Sequence, residues 1–301
     1  MWFKNLRVYR LLQPFILSET DLDAALREKA FRKCGSLELS TLGWDSPLGR
    51  QSEKLAHEVN GSLMICARQE EKLLPSAVVN ELLEEKVATI ESEEGRPVGR
   101  RERTGMKDDI IHELLPKAFS RSLRLFAMID RVSGWILVDA ASAGKAEKLI
   151  SLLRETLGSL PVKPLETAVA PAAVLTEWVR QPASHVDFRL LDSCELQDGE
   201  GEGGQVRCKG QDLASDEIQG HLDAGKQVTR LSLEWDERLA FSLEADLAIK
   251  RLKFLDLLQE QAADVATEDD LARFDVTFSL MSLEFRRLMP RLLDLFGGVA
   301  E

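Results

Sequence analysis

No apolar stretch in this chain approaches the ~20 residues that a membrane-spanning helix needs. The opening Met1-Trp2-Phe3-Lys4-Asn5-Leu6-Arg7 lacks the basic segment followed by an apolar core that marks a secretory leader. The expectation is a cytoplasmic protein with no membrane partner. Cysteine is scarce. Cys34, Cys66, Cys194 and Cys208 form no C-x-x-C pair, and each lies in or beside an apolar or strand-like run, which predicts buried free thiols rather than disulfides or metal ligands. The four histidines, His57, His112, His185 and His221, are scattered, and no two have the helical spacing of metal ligands. Positive charge is in deficit, with 39 Lys and Arg against 51 Asp and Glu and a net charge of -12. Taken whole, such a chain repels phosphate. The sum does not locate the charges, so the test is whether the cations cluster.

Catalytic motifs are missing as well. The glycines around 201–204 sit among Asp198, Glu200 and Glu202, whose charge suits a solvated turn rather than a phosphate cradle. Gly144-Lys145 and Gly225-Lys226 lack the spacing and the hydroxyl residue of a P-loop, and there is no G-x-S-x-G elbow. The paired acids Asp108-Asp109 and Glu268-Asp269-Asp270 stand at helix starts, where the helix dipole favours them without any cation. The expectation is a protein that is not an enzyme and that uses no cofactor and no metal.

What is present reads as an α+β protein with mixed or antiparallel sheets, packed helices and a projecting helical hairpin. Alternation predicts strands at 2–10 and 62–68. Ser18 to Asp21 has the form of a capping box and opens a helix with Leu22, Ala25, Leu26 and Ala30 on one face. The segment through Gly43-Trp44-Asp45-Ser46-Pro47-Leu48-Gly49 reads as a loop. Helices are expected at 76–92, with Val79, Leu82, Leu83, Val87 and Ile90 as the stripe, and from Lys107 towards Phe119. The break at Gly95-Arg96-Pro97-Val98-Gly99 makes these two a finger over about 76–121. A β-hairpin follows at 123–139 around Arg131-Val132-Ser133-Gly134, then a helix over 142–157. Pro161 to Pro164 and the Ala-rich run after it mark the best boundary, giving an N-terminal α+β domain, 1–165, and a C-terminal one, 166–301, that ends in helices. Beyond it, strands are read at 188–196 and 206–209, a helix at 215–222, a hairpin at 228–243, and a capping box at Thr267 to Asp270.

The cations do cluster. Arg96, Arg100, Arg101, Arg103, Lys107, Lys117, Arg121 and Arg124 fall between residues 96 and 124, against Glu102, Asp108, Asp109 and Glu113. A weaker group is Lys250, Arg251 and Lys253, with Arg230 and Arg238 before it. Double-stranded DNA is the natural partner for a projecting basic tip, and a solvated face is the bland reading of the same charges. No recognition helix or zinc finger is visible, so binding independent of sequence is expected.

Several segments together resemble the bacterial RdgC family of recombination-associated proteins. They are Trp2-Phe3-Lys4-Asn5-Leu6, 31–35, Gly43-Trp44, 60–76, Leu114-Leu115-Pro116-Lys117-Ala118-Phe119-Ser120-Arg121, Leu157-Gly158-Ser159-Leu160-Pro161, Leu175-Thr176-Glu177-Trp178-Val179, Lys250-Arg251-Leu252-Lys253-Phe254 and the final Gly297-Gly298. The resemblance covers essentially the whole chain. It implies a ring-shaped homodimer, in contact at both ends, whose basic hole encircles duplex DNA in the nucleoid and restrains RecA-promoted strand exchange. It places Phe119 at a ring contact, core packing being the other reading, and puts Arg96 at a basic finger position. It aligns Lys209-Gly210-Gln211-Asp212 with a stretch that often has two basic residues before the Gln, so that Gly210 leaves Lys209 to carry a contact beside Gln211. The DNA-binding set expected is Arg96, Arg100, Arg101, Arg103, Lys117, Arg121, Lys209, Gln211, Lys250, Arg251 and Lys253. The competing expectation is a protein-interaction module that inhibits recombination by touching RecA directly.

Overall fold

Two antiparallel sheets and eight α-helices make up the described part of the chain, residues 1–182, 187–199, 203–264 and 269–300 of a computed structural model. The first sheet contains β1 (Arg7–Leu11), β2 (Ser40–Asp45), β3 (Ala56–Val59), β4 (Ser62–Lys72), β5 (Ser120–Asp130), β6 (Trp135–Val138) and β7 (Val162–Pro164). Its order is β2-β4-β5-β6-β1-β7, and β3 shares the outer edge of β4 with β2. The second sheet is β12-β11-β10-β8-β9, from β8 (Phe188–Asp198), β9 (Val206–Lys209), β10 (Lys226–Trp235), β11 (Leu239–Glu244) and β12 (Ile249–Phe254).

Alternation along the central strands sets the layers. Leu63, Ile65 and Ala67 of β4, with Ala127 and Ile129 of β5, face α1 (Glu19–Arg27) and α4 (Ala143–Leu157), and meet Leu22, Leu26, Leu149, Ile150 and Leu153. Met64, Met128 and Leu137 face the other way, into a core shared with the second sheet. That core takes in Leu175 and Trp178 of α5 (Pro171–Arg180), Ile218 and Leu222 of α6 (Asp216–Asp223), and Leu258 of α7 (Asp256–Asp264). At its centre lie Phe278, Met281 and Phe285 of the long α8 (Asp270–Leu295). The first sheet ends at Pro164 and the second begins at Phe188, while the apolar core crosses that point without a break.

Helix α8 also ties itself to the first sheet by polar bonds. The Arg286 guanidinium donates to the buried Asp130 carboxylate, to the Asn60 carbonyl and to Ser62 Oγ at 2.7–3.1 Å. Ser18 caps α1 as its capping box requires, its Oγ accepting from the Asp21 amide at 3.1 Å. Among the cysteines, Cys66, Cys194 and Cys208 are buried free thiols and Cys34 is partly exposed.

Several boundaries differ from the sequence reading. The N-terminal strand starts at Arg7, not at residue 2. The Asp139 carboxylate takes the amides of Lys4 and Asn5, Trp2 stacks on Phe254, and Leu6 bridges to Ile249 of β12. Gly43 to Asp45, read as the start of a loop, instead end the strand β2. Gly43 is there for close approach rather than for a turn, since a Cβ on it would lie 2.6 Å from the Phe31 Cα. The strands β3, β7 and β12 and helix α5 were not legible. The second finger helix runs over Arg100–Leu114 and not from Lys107 to Phe119, because Pro116 cannot continue the ladder and the chain makes one 3-10 turn at Leu115–Lys117. Helix α8 is capped by Asp269, which accepts from Leu271 N at 3.0 Å. Thr267 and Glu268 of the expected capping box, His185, and Glu200 to Glu202 of the acidic glycine loop lie outside the described residues.

Candidate nucleic-acid interface

The β4–β5 ribbon pairs without interruption from Ser62↔Asp130 to Lys72↔Ser120, and it carries the finger at its far end. The finger is α2 (Ser76–Glu94) packed on α3 (Arg100–Leu114). Val79, Leu83 and Val87 repeat every four residues on α2 and close on Ile110, forming a small apolar cluster separate from both larger cores.

The finger's arginines do not stand free as a set. Arg96 donates to Glu94 at 2.6 Å and to both oxygens of Glu102 at 2.8 Å, and these bonds hold the Glu102 carboxyl below its ordinary range. Arg103 pairs with Glu84. Arg100 and Arg101, exposed on the first turn of α3, have no ion-pair partner among the described residues. Glu91, Glu93 and Glu94 on the last turn of α2 bring the tip close to neutrality, which a count beginning at Arg96 leaves out.

At the base of the finger, Lys117 is exposed and Arg121 is taken by Glu71. Phe119 is 84% exposed, so the core-packing reading fails for the single chain. The Leu73 amide donates to the Phe119 carbonyl, and Leu39, Leu42 and Leu123 are exposed on the neighbouring strand ends.

The remaining predicted residues lie on the second sheet, whose inner face is covered by α5, α6 and α8 and whose outer face is polar. Lys209 and the group Lys250, Arg251 and Lys253 occupy the two opposite edges of this one sheet, separated by four strand spacings or roughly 19 Å. Arg251 is a non-glycine residue at φ 54°, in the left-handed region, at a register shift between β11 and β12. This bulge inserts one residue, so Ile249, Leu252 and Phe254 all point inward while Lys250, Arg251 and Lys253 all point outward. Three cations thereby share a face that strict alternation would have split. Lys250 is held by Glu244, whereas Arg251 and Lys253 have no ion-pair partner among the described residues. Lys4 lies beside this strand, because the Leu252 amide donates to its carbonyl and aligns the N-terminal segment along β12. Sequence reading missed Lys4, as nothing local links residue 4 to residue 252.

Gly210 sits at φ 68°, a turn that favours glycine and brings the Gln211 amide to the Asp192 carbonyl. Gln211 lines a cavity of about 970 Å³ together with Asp187, Asp192, Asp212, Glu234, Asp236 and Glu237, where Arg189 is the cation and bonds Glu234. Its surroundings are anionic, unlike those of Lys209. The predicted set therefore divides into a finger group and a sheet group, with Gln211 at the Lys209 edge of the sheet but lining the anionic cavity. Among the described residues, no three of His, Cys, Asp and Glu are grouped so as to hold a metal ion. No described helix is long and apolar enough to cross a membrane.

Comparison with known proteins agrees with the resemblance in the sequence. A family model described as "RdgC: Putative exonuclease, RdgC" matches residues 1–299. A recombination-associated protein RdgC of Pseudomonas aeruginosa is 50% identical over 299 residues, covering 99% of this chain and 98% of its own. One of Yersinia pestis is 46% identical over 301 residues, covering 100% of this chain and 99% of its own. With the whole fold and both cationic groups inside these matches, the chain belongs to the RdgC family.

Proposed function

We propose that this chain binds duplex DNA without regard to sequence, encircles it as a ring-shaped homodimer, and restrains RecA-promoted recombination by occupying the duplex, without catalysing a reaction. It would act in the cytoplasm, on the nucleoid. The observation that carries this reading is the placement of unpaired cations in a chain of net charge -12. Arg100 and Arg101 stand at the finger tip and Lys117 at its base, while Lys209 stands at one edge of the outer sheet face and Arg251 and Lys253 at the other. Other cations without an ion-pair partner among the described residues lie elsewhere, Lys145, Lys148 and Arg154 of α4 included, but these two groups fall on a projecting finger and on one polar sheet face, where they suit a phosphate partner. The relatives' name associates them with recombination, and the 84% exposed Phe119 offers an apolar contact for a second copy.

The test is topological. Protein loaded on closed circular DNA is expected to survive a salt challenge that strips it from linear DNA of the same sequence, and equal loss from both overturns encirclement. The same samples, incubated with Mg²⁺ and end-labelled duplex, are expected to keep full-length strands, and progressive shortening would make the protein a nuclease. A second reading, a module that docks on RecA, is favoured by the near-neutral finger tip and the exposed Phe119, Leu73 and Leu39 at its base. Excess duplex DNA separates the two, relieving inhibition by a clamp and leaving inhibition by docking intact.

A further inference from the structure

An unbroken ion-pair ladder crosses the outer face of the second sheet, one residue from each strand. Arg207 of β9 approaches Glu195 of β8 at 3.3 Å, and Glu195 meets Arg230 of β10 at 2.5 Å. Arg230 donates through Nε to Glu244 of β11 at 2.7 Å, and the other oxygen of Glu244 meets Lys250 of β12 at 2.6 Å. The register Glu195↔Arg207, Arg230↔Glu195 and Arg230↔Glu244 puts these side chains in one row. Three cations and two carboxylates alternate across the full width of the face that carries Lys209, Arg251 and Lys253. No described helix covers this row, and the carboxylates lie low in it, with side chains 14% exposed for Glu195 and 12% for Glu244. The side chain of Arg207, at the end of the row, is 69% exposed.

The geometry points to Glu195 and Glu244 as affinity-limiting residues of a phosphate-binding face, built-in anions that occupy Arg207, Arg230 and Lys250 and keep the grip on the duplex loose. This rests on the DNA-binding reading above and deepens it. A guanidinium whose Nε, Nη1 and Nη2 all bond carboxylates, as in Arg230, has its charge neutralised and three of its five N–H donors occupied before a phosphate arrives. The consequence is unusual in sign. Removing a carboxylate from the ladder increases binding, because each cation set free is available to displace a condensed counterion from DNA. A loose, evenly spread field of this kind suits a protein that must move along the duplex rather than stop on it.

Glu195→Gln is the mild variant, since it frees Arg207 and leaves the pair of Arg230 with Glu244 in place. Glu244→Gln and the double variant free more. Affinity for a short random-sequence duplex is measured across a salt series, with thermal melting of each variant alongside. Glu217→Gln is the charge control, as it removes the same charge from α6 on the opposite side of the sheet. Glu195→Gln is expected to steepen the salt slope by about 0.9, roughly an eightfold gain at about 0.1 M salt relative to 1 M. Adding Arg207→Gln is expected to cancel the gain, and Glu217→Gln to stay at wild-type slope. Glu195→Gln at the slope and affinity of Glu217→Gln, in a folded protein, overturns the inference while leaving DNA binding intact. Wild-type protein without salt-dependent affinity overturns the DNA reading itself, and the inference with it. If Glu244→Gln does not fold, Glu195→Gln carries the test alone.

Discussion

At the scale of single residues, exposure and pairing separate the roles that residue type alone leaves joined. Phe119 has the chemistry of a core residue and the environment of a surface one. Phe119→Ala is therefore expected to leave thermal stability within the usual range of surface substitutions, about ±0.5 kcal/mol. Self-association measured by sedimentation should weaken by about 2 kcal/mol or more if the ring reaches its twin through this side chain. A collapse in melting temperature would return Phe119 to the core. The thiols give a second check. Burial pushes Cys66 up to about 11, and burial together with its cross-strand neighbour Cys208 pushes Cys194 up to about 12. Both are therefore protonated at neutral pH and poor nucleophiles. Alkylation of native protein near pH 7.5, read by peptide mass, is expected to spare Cys66 and Cys194, and all four cysteines should react after denaturation. Rapid native labelling at Cys194 would show that the β8–β9 edge opens.

At the scale of elements, legibility in the sequence followed how local the cause of each element is. The capping box at Ser18, the stripes of α2 and α4 and the hairpin turns at 131–134 and 236–238 are local, and each appears where the pattern places it. The strands β2, β3, β7 and β12 are three to six residues long and owe their existence to partners elsewhere in the chain. In β12 the bulge at Arg251 also breaks the period of two, so the strand read only as a basic run. The finger group behaved in the same way. Its cations were legible, but Glu84, which neutralises Arg103, lies on the other helix of the hairpin. This divides four similar arginines into two kinds. Replacing Arg100 and Arg101 with Gln is expected to lower affinity for all duplex sequences and to flatten the salt slope by roughly one unit for each phosphate no longer neutralised. Replacing Arg96 and Arg103 should leave the slope nearly unchanged, because Glu94 and Glu102 neutralise the first and Glu84 the second. Equal effects from the two pairs would mean that phosphate displaces the carboxylates. Helix α8 makes a prediction of stability rather than binding. Arg286→Ala strands the buried Asp130 carboxylate and is expected to cost about 3–5 kcal/mol in denaturant unfolding.

At the scale of the whole molecule, the two sheets have separate strand orders but one apolar interior, threaded by the first residues of the chain and by the last helix. The α+β class followed from the mixture of periods, and an acidic protein with local reversals of charge followed from composition and position. The joining of the halves could not be read, because it depends on pairs such as Leu6 with Ile249 and Arg286 with Asp130, more than 150 residues apart. Further apart still is the hydrogen-bonded pair of the Phe3 amide and the Met281 sulfur, 3.4 Å from each other and 278 residues apart along the chain. That pairing sets a clock on biosynthesis. At about 5–20 residues per second, a ribosome that has made Phe3 needs roughly 14–56 s to supply its neighbour. Until then the N-terminal strand segment and one whole face of the first sheet remain without their cover. A nascent chain of this protein is thus expected to need shielding through most of its translation, and a message truncated before codon 270 to yield a product in which the Met64, Met128 and Leu137 face lacks the cover of α8.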